Sequence, residues 1–375
     1  MKIVRWLLAV IILVVVTAQT VPFVVRDLIV YSLLEQGAET VKLASVKINW
    51  LNTSIELNRL DIRHADASVL NVRQLKLDIY LQEILDKRIR LSGLRLEGVD
   101  AKLHQEQQRL LLGPIVLFGG AAQDNPQGDE SSFEFGSDLI ELVDINLQLA
   151  QEESAQRLNI ERLTVGGLYQ WAPFEATNVR FVGRLNDAPV VIDSSALPLP
   201  ERKTLSIQLA LRDLNMSPLV GHLVPGLEAS LAMNLEIDIE IEGYQARLSQ
   251  TGSIGISGLN LPINDLELGL GGVSWQGETE QEVDLSKGAE LFKNIRLNGT
   301  LDLMDLDVRQ QASSLVVKAL KLSPSLTYLA DLQQVQGSLA LGTEQLALVN
   351  NNQLLSVAQL SASLTEQPLG LNLEF

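Results

Sequence analysis

The residues able to do chemistry are few and badly placed for it. The three histidines, His64, His104 and His222, are far from one another and from any metal-ligand spacing, so each reads as a surface or loop side chain. No cysteine is present, which excludes thiolate metal sites, cysteine nucleophiles, disulfides and lipid attachment through an N-terminal cysteine. Glu278, Glu280 and Glu282 alternate with polar residues, the pattern of a solvated strand face and not of a Ca²⁺ loop. The glycines of Gly269-Leu270-Gly271-Gly272 close an alternating strand and read as a bulge or turn, not as a phosphate cradle. There is no G-x-S-x-G, H-E-x-x-H or Walker sequence. Trp50, Trp171 and Trp275 could anchor at an interface, but read first as packing or loop-pinning residues. The expectation is a protein that is not an enzyme and uses no cofactor and no metal.

The elements tell more. One phrase, apolar-x-apolar-x-x-apolar-x-apolar, recurs at Ile55-Leu57-Leu60-Ile62, Leu70-Val72-Leu75-Leu77, Ile89-Leu91-Leu94-Leu96, Leu158-Ile160-Leu163-Val165, Ile254-Ile256-Leu259-Leu261 and Leu315-Val317-Leu320-Leu322. At ~100° per residue the four positions scatter around a helix, which excludes an amphipathic helical face. As a strand, each half alternates and the halves are one residue out of phase; a β-bulge or a tight turn between them restores a common face. Uninterrupted alternation runs through Leu231, Met233, Leu235, Ile237, Ile239 and Ile241, with Glu236, Asp238, Glu240 and Glu242 between them. That is a sheet with one apolar and one charged face. Leu81–Arg88 reads as a short helix or a crossover, and Ser217–Leu223 and Ser323–Leu332 read as short helices from their Ser-Pro starts. Residues 119–137 form a Gly, Pro and acid-rich loop.

The N-terminus points to a membrane. Lys2 and Arg5 precede an apolar run from Trp6 to Val25, closed by Arg26 and Asp27, and about 20 such residues span a bilayer as a helix. The charge order favours an N-inside anchor with the body exported. A cleaved signal peptide ending near Val16-Thr17-Ala18 is the competing reading; the run continues past Ala18, which favours the anchor. Beyond it, Leu28, Tyr31, Leu34 and Ala38 form one helical stripe. Charge is partitioned: residues 1–118 carry 15 Lys and Arg against 12 Asp and Glu, and the rest 14 against 34, for a net −17. The first third suits an anionic membrane surface, whereas the acidic remainder excludes nucleic acid as a partner.

A one-sided apolar sheet must close into a barrel, pair as a sandwich, or lie open around something else. Carboxylates on the outer face argue against a transmembrane barrel, and 5% aromatic content is low for a sandwich core. The expected fold is therefore mainly β: an elongated, curved antiparallel sheet forming an open apolar groove, with an N-terminal transmembrane helix and a few short helices. The expected divisions are 1–30 anchor, 31–118 membrane-proximal groove segment, 119–137 loop and 138–375 distal groove segment. The candidate groove lining is Val46, Ile48, Leu57, Leu60, Ile62, Leu75, Leu77, Ile79, Leu94, Leu96, Leu231, Met233, Leu235, Ile237, Ile239 and Ile241.

These segments resemble a known family. The apolar N-terminus followed by Val46-Lys47-Ile48-Asn49-Trp50, Ile55–Ile62, Leu70–Leu81, Lys87-Arg88 and Ile89–Leu103 is similar to the opening of AsmA-like proteins. Pro173-Phe174, the run Phe181–Val190 and the stretch Leu209–Pro218 resemble that family's central phrase, so the likeness covers most of residues 1–225. Its motifs are patterns of apolar residues and turns. The resemblance implies an inner-membrane, single-pass protein with a periplasmic body, working with phospholipids in inner-to-outer membrane transport or outer-membrane assembly, with envelope protein partners. Many relatives are much longer. The alternative is a structural scaffold of an envelope or secretion assembly with no lipid cargo; an exported hydrolase has no supporting motif.

Overall fold

A computed structural model describes residues 20–365, apart from short connecting segments of which the longest is 119–132. The chain is mainly β and packs as two units, 1–184 and 185–375. In the first, helix α1 (20–35) leads through the buried Ala38 into β1 (Thr40–Asn49), β2 (Ser54–His64) and β3 (Ala67–Ile79), a meander of antiparallel pairs. A 3-10 helix, Leu81–Asp86, ends on Lys87 in the left-handed region and opens β4 (Arg88–Glu106). Then come β5 (Arg109–Leu112), β6 (Ile115–Phe118), β7 (Glu134–Ala150), β8 (Ala155–Tyr169) and β9 (Thr177–Leu185). Thr177 Oγ1 donates to the Gly167 carbonyl at 2.8 Å, which ties the start of β9 to the end of β8.

One pairing corrects the antiparallel expectation. β4 and β7 run parallel, from Arg88↔Glu134 to His104↔Ala150. The cause lies in lengths: β4 outlasts β3, whose pairing ends at Leu70↔Ala101, and β5 takes up the same edge from Leu103↔Leu112. The other edge of β4 stays open until the chain returns to its start. A parallel return needs a connection of about a dozen residues or more, and the stretch after Phe118 supplies it. Residues 119–132 of the expected loop 119–137 lie outside the described residues, and its last residues are already strand because β7 starts at Glu134.

The second unit is an antiparallel series of long strands: β10 (Ala188–Pro198), β11 (Arg202–Asn215), β12 (Glu228–Glu242), β13 (Gln245–Ile263), β14 (Leu266–Asp284), β15 (Phe292–Gln310) and β16 (Ser313–Leu329). Past β16 the series divides. Its second half pairs with β17 (Gln334–Thr343), which continues to β20 (Leu360–Thr365); its first half pairs with β18 (Leu346–Asn350), which continues to β19 (Gln353–Val357).

Ser217–Val220 is a single helical turn with proline in its first positions, as its Ser-Pro start suggests. Of Ser323–Leu332, expected as a helix from the same signal, residues 323–329 are instead the second half of β16 and the rest lies outside the described residues. Its period of two, Leu320, Leu322, Leu326 and Tyr328, outweighs Ser-Pro, and the β15 ladder skips Ser323 and Pro324, where proline has no N–H to give. No helix among the described residues is long and apolar enough to cross a membrane, and residues 1–19 of the expected anchor lie outside those described. The stripe expected beyond it divides: Leu28, Tyr31 and Leu34 are exposed on α1, whereas Ala38 lies past the helix end and is buried.

Candidate functional site

The apolar face is built from ladders that cross strands without a break. In the first unit Val46, Leu57, Leu75, Leu96, Leu142 and Leu163 stand opposite one another from β1 to β8. One step along the strands is the row Ile48, Ile55, Leu77, Leu94, Ile140, Val165. On the other side run Leu43, Leu60, Val72, Val99, Ile145, Ile160, and then Val41, Ile62, Leu70, Ala101, Leu147, Leu158. The structure therefore brings nine of the ten first-unit candidates into four rows. The tenth, Ile79, continues the Leu75-Leu77 alternation but pairs with Leu91 only after a register shift.

Between the two inner rows the sheet is creased. Pairing is skipped along one line through Ala44, Arg59, Arg73, Gly98, Asp144 and Glu161, yet the register is the same before and after it. No strand gains a residue over its neighbour here; all of them change phase together. This replaces the expected bulge, which would set two residues against one. The phase change is carried by left-handed residues at Arg59, Gly98 and Asp144, with φ of 53°, 64° and 56°. These occupy β2, β4 and β7, the strands that run one way; β1, β3 and β8 run the other way and have none on the line.

The second unit repeats the device. Skipped pairs align Gly258, Gly271, Asp305 and Lys318, and positive φ falls on Asp213, Gly258 and Asp305, again in co-directional strands. At its β11–β12 end the line becomes a true bulge, with one extra residue between Leu211 and Leu214. Gly271 of the expected glycine turn is in mid-sheet on this line, against the Asp305 side chain.

The crease decides burial. The substantial contacts of the strands are with their hydrogen-bonded neighbours, and among the described residues no second layer packs on the apolar face. Side chains on a bare face are buried only where the sheet bends toward them. Leu43, Val72, Val99, Ile145 and Ile160, beside the crease, are buried, as are Ile62 and Ala101 one row farther out on the same side; so are Leu211, Leu214, Leu270 and Val317 in the second unit. On the other side of the crease the outer row, including Ile48, Leu77 and Leu94, stays half-exposed.

The second-unit candidates divide. Met233 belongs to an unbroken apolar row with Leu211, Ile254, Trp275, Leu301, Leu322 and Leu341, and Leu231 to one with Ile256, Val273, Leu303 and Leu320. Leu235 faces Leu209 and Gly252, and the Trp275 ring lies across Gly277 and Gly299 farther along that row, where a Cβ would come within 2.8 Å of it. Ile241 faces Lys203 and Ala246. Ile237 and Ile239 head rows that run into Gln250, Thr279 and Gln281, so polar groups interrupt the face there.

The opposite face is ionic. Arg73 lies over Gly98, where an added Cβ would come within 2.7 Å of it, and reaches Asp144 at 2.9 Å and Glu97 at 3.4 Å. Arg247 bridges Glu280 and Glu282 at 3.2 and 2.9 Å, Arg296 joins Glu280 at 3.2 Å, and Asn298 donates to Glu278 at 3.1 Å. The carboxylates of the alternating run are therefore held by cations and amides; the Arg247 guanidinium, then Asn294, lowers the Glu282 pKa. Near the first unit's strand ends, Arg90 donates to Asp138 at 2.8 Å and Glu83 at 3.1 Å, between the rings of Tyr80 and Tyr169. Burial pushes Asp138 up, but hydrogen bonds from Arg90 and Tyr169 outweigh it and its pKa is lowered.

Two features escaped sequence reading: the copies Leu94-Leu96-Val99-Ala101 and Ile140-Leu142-Ile145-Leu147, which align with the first two phrases where Ile89–Leu96 does not. The available signal was Gly98 or Asp144 at the phase change, the residue types that tolerate a left-handed backbone. His64 lies in β2 and His104 in β4, His222 lies outside the described residues, and among the described residues no metal-ligating cluster forms. No known family model matches the chain, and no curated protein does either.

Proposed function

We propose that this chain is a membrane-anchored periplasmic lipid-binding protein whose apolar face shields phospholipid acyl chains during transport or assembly between inner and outer membranes. The observation that carries the reading is the set of apolar ladders spanning β1 to β8 on a face over which, among the described residues, no second layer packs. An uncovered Leu, Ile and Val surface of this extent is costly in water, at roughly 25 cal/mol per Å². Acyl chains suit it because they need no directional partners, and the ladders offer none. The charged reverse face keeps the occupied protein soluble. The resemblance of residues 1–225 to AsmA-like proteins points the same way, and supplies the anchor, the compartment and the envelope protein partners of this reading.

The test is native mass spectrometry of the full chain extracted in mild detergent. Several phospholipids per chain are expected. Leu77→Glu and Met233→Glu, which place charge in unbroken rows, should lower occupancy at least fivefold with the circular dichroism spectrum retained, and Glu236→Gln on the reverse face should leave it unchanged. A lipid-free wild-type chain with stable protein contacts would transfer the reading to an assembly scaffold.

A further inference from the structure

The strand connections at the two ends of the first unit are chemically opposite. At one end, Ile48↔Ile55 and Ser54↔Asp78 set the β1–β2 turn level with the end of β3; Arg88↔Glu134 and Gly136↔Tyr169 bring the starts of β4 and β7 and the end of β8 to the same edge. The connections there and the first residues of β7 carry Trp50, Leu51, Leu81, Leu85, Phe135 and Phe174, all more than half exposed, with Leu51 at 95% and Leu85 at 89%. At the other end the sequences that follow β2, β4 and β7 are polar, Arg63-His64-Ala65-Asp66, His104-Gln105-Glu106-Gln107-Gln108 and Gln151-Glu152-Glu153-Ser154, while α1, which enters β1 there, exposes Leu28, Tyr31 and Leu34. Turns ordinarily use polar residues, so the first edge is the one that needs a reason.

These tips are held firmly. Ile79 donates to the Thr53 carbonyl at 3.1 Å and the Thr53 hydroxyl donates back to Ile79, joining the first turn to the next. Arg90, clasped by Glu83, Asp138 and two tyrosine rings, fixes the 3-10 helix that bears Leu81 and Leu85. Gln170 accepts from the Phe135 N–H at 2.8 Å, and Trp171 lies under the Arg88 guanidinium, 5.2 Å from it. A rigid apolar edge loses little entropy when it docks.

We propose that this edge inserts shallowly into a phospholipid surface, independently of any lipid held on the apolar face. The tips form a line of roughly 20–25 Å across strands spaced ~4.8 Å, projecting from separate connections, and a fluid interface accepts such side chains without a matching partner shape. Trp and Phe beside Leu, flanked by Asn49, Asn52, Lys87 and Arg88, are the residue types favoured at the headgroup boundary. The edge itself sets Lys87, Arg88 and Arg90 against Asp78, Glu83, Asp86, Glu134, Asp138 and Glu175, so insertion of the apolar tips and not charge attraction would hold it to lipid.

The absence of cysteine allows a site-specific test on the full chain, which avoids confusion with the N-terminal apolar segment. Leu51→Cys, Leu85→Cys and, at the opposite edge, Ala155→Cys are labelled with a polarity-sensitive fluorophore and reconstituted in phosphatidylethanolamine and phosphatidylglycerol vesicles. Labels at 51 and 85 should shift to the blue and be quenched by lipid-borne nitroxides at least threefold more than the label at 155. Equal quenching at all three sites overturns the proposal. So does a blue shift that needs no lipid and grows with protein concentration, which assigns the edge to a second copy.

Discussion

At the residue scale the crease rests on a handful of backbone conformations. Gly98 and Gly258 adopt positive φ without cost, and aspartates at 144, 213 and 305 tolerate it, but Arg59 at φ 53° is an ordinary side chain in a left-handed well. Arg59→Gly should therefore raise stability by about 0.5–1 kcal/mol, and Arg59→Val lower it by about 1–2 kcal/mol, read from denaturant midpoints. Asp284 is a second local device. The Ser286 hydroxyl and N–H donate to it at 2.6 and 3.1 Å and hold its carboxyl down to about 2. A carboxyl depressed on folding stabilises above its unfolded value of about 4, and that contribution is lost as pH falls toward 2. The stability gap between wild type and Asp284→Asn should be flat from pH 7 to about 5 and shrink between about pH 4 and 2.

At the element scale the same apolar phrase does two jobs, one on each side of the crease. Ile145 is 3% exposed with strands folding around it, so Ile145→Ala should cost about 2–4 kcal/mol. Leu77, two rows out and half-exposed, should cost under about 1 kcal/mol as Ala while still reducing lipid occupancy. Equal losses of stability at the two sites would mean that the outer rows are core as well. Element type was legible wherever period two was sustained, as in β12. It was misread where Ser-Pro mimicked a helix start, because Pro324 sits where its absent N–H leaves only one gap in the β15 ladder.

At the scale of the whole molecule, the apolar face that no second layer covers among the described residues is the property with consequences. A delipidated preparation should bind an apolar fluorescent dye strongly, and reloading with phospholipid should displace most of it; dye binding unchanged by lipid would place the exposed surface elsewhere. The sequence by itself determined that the chain is mainly β, that one face is apolar and the other charged, and that each strand shifts phase by one residue, since all three are properties of spacing along a single strand. Tertiary structure alone decided that the shifts align into one crease, that β4 and β7 run parallel, and that Trp50, Leu51, Leu81, Leu85, Phe135 and Phe174 share an edge. Those facts depend on register between strands distant in sequence, and a strand's own pattern is satisfied by either direction of its neighbour.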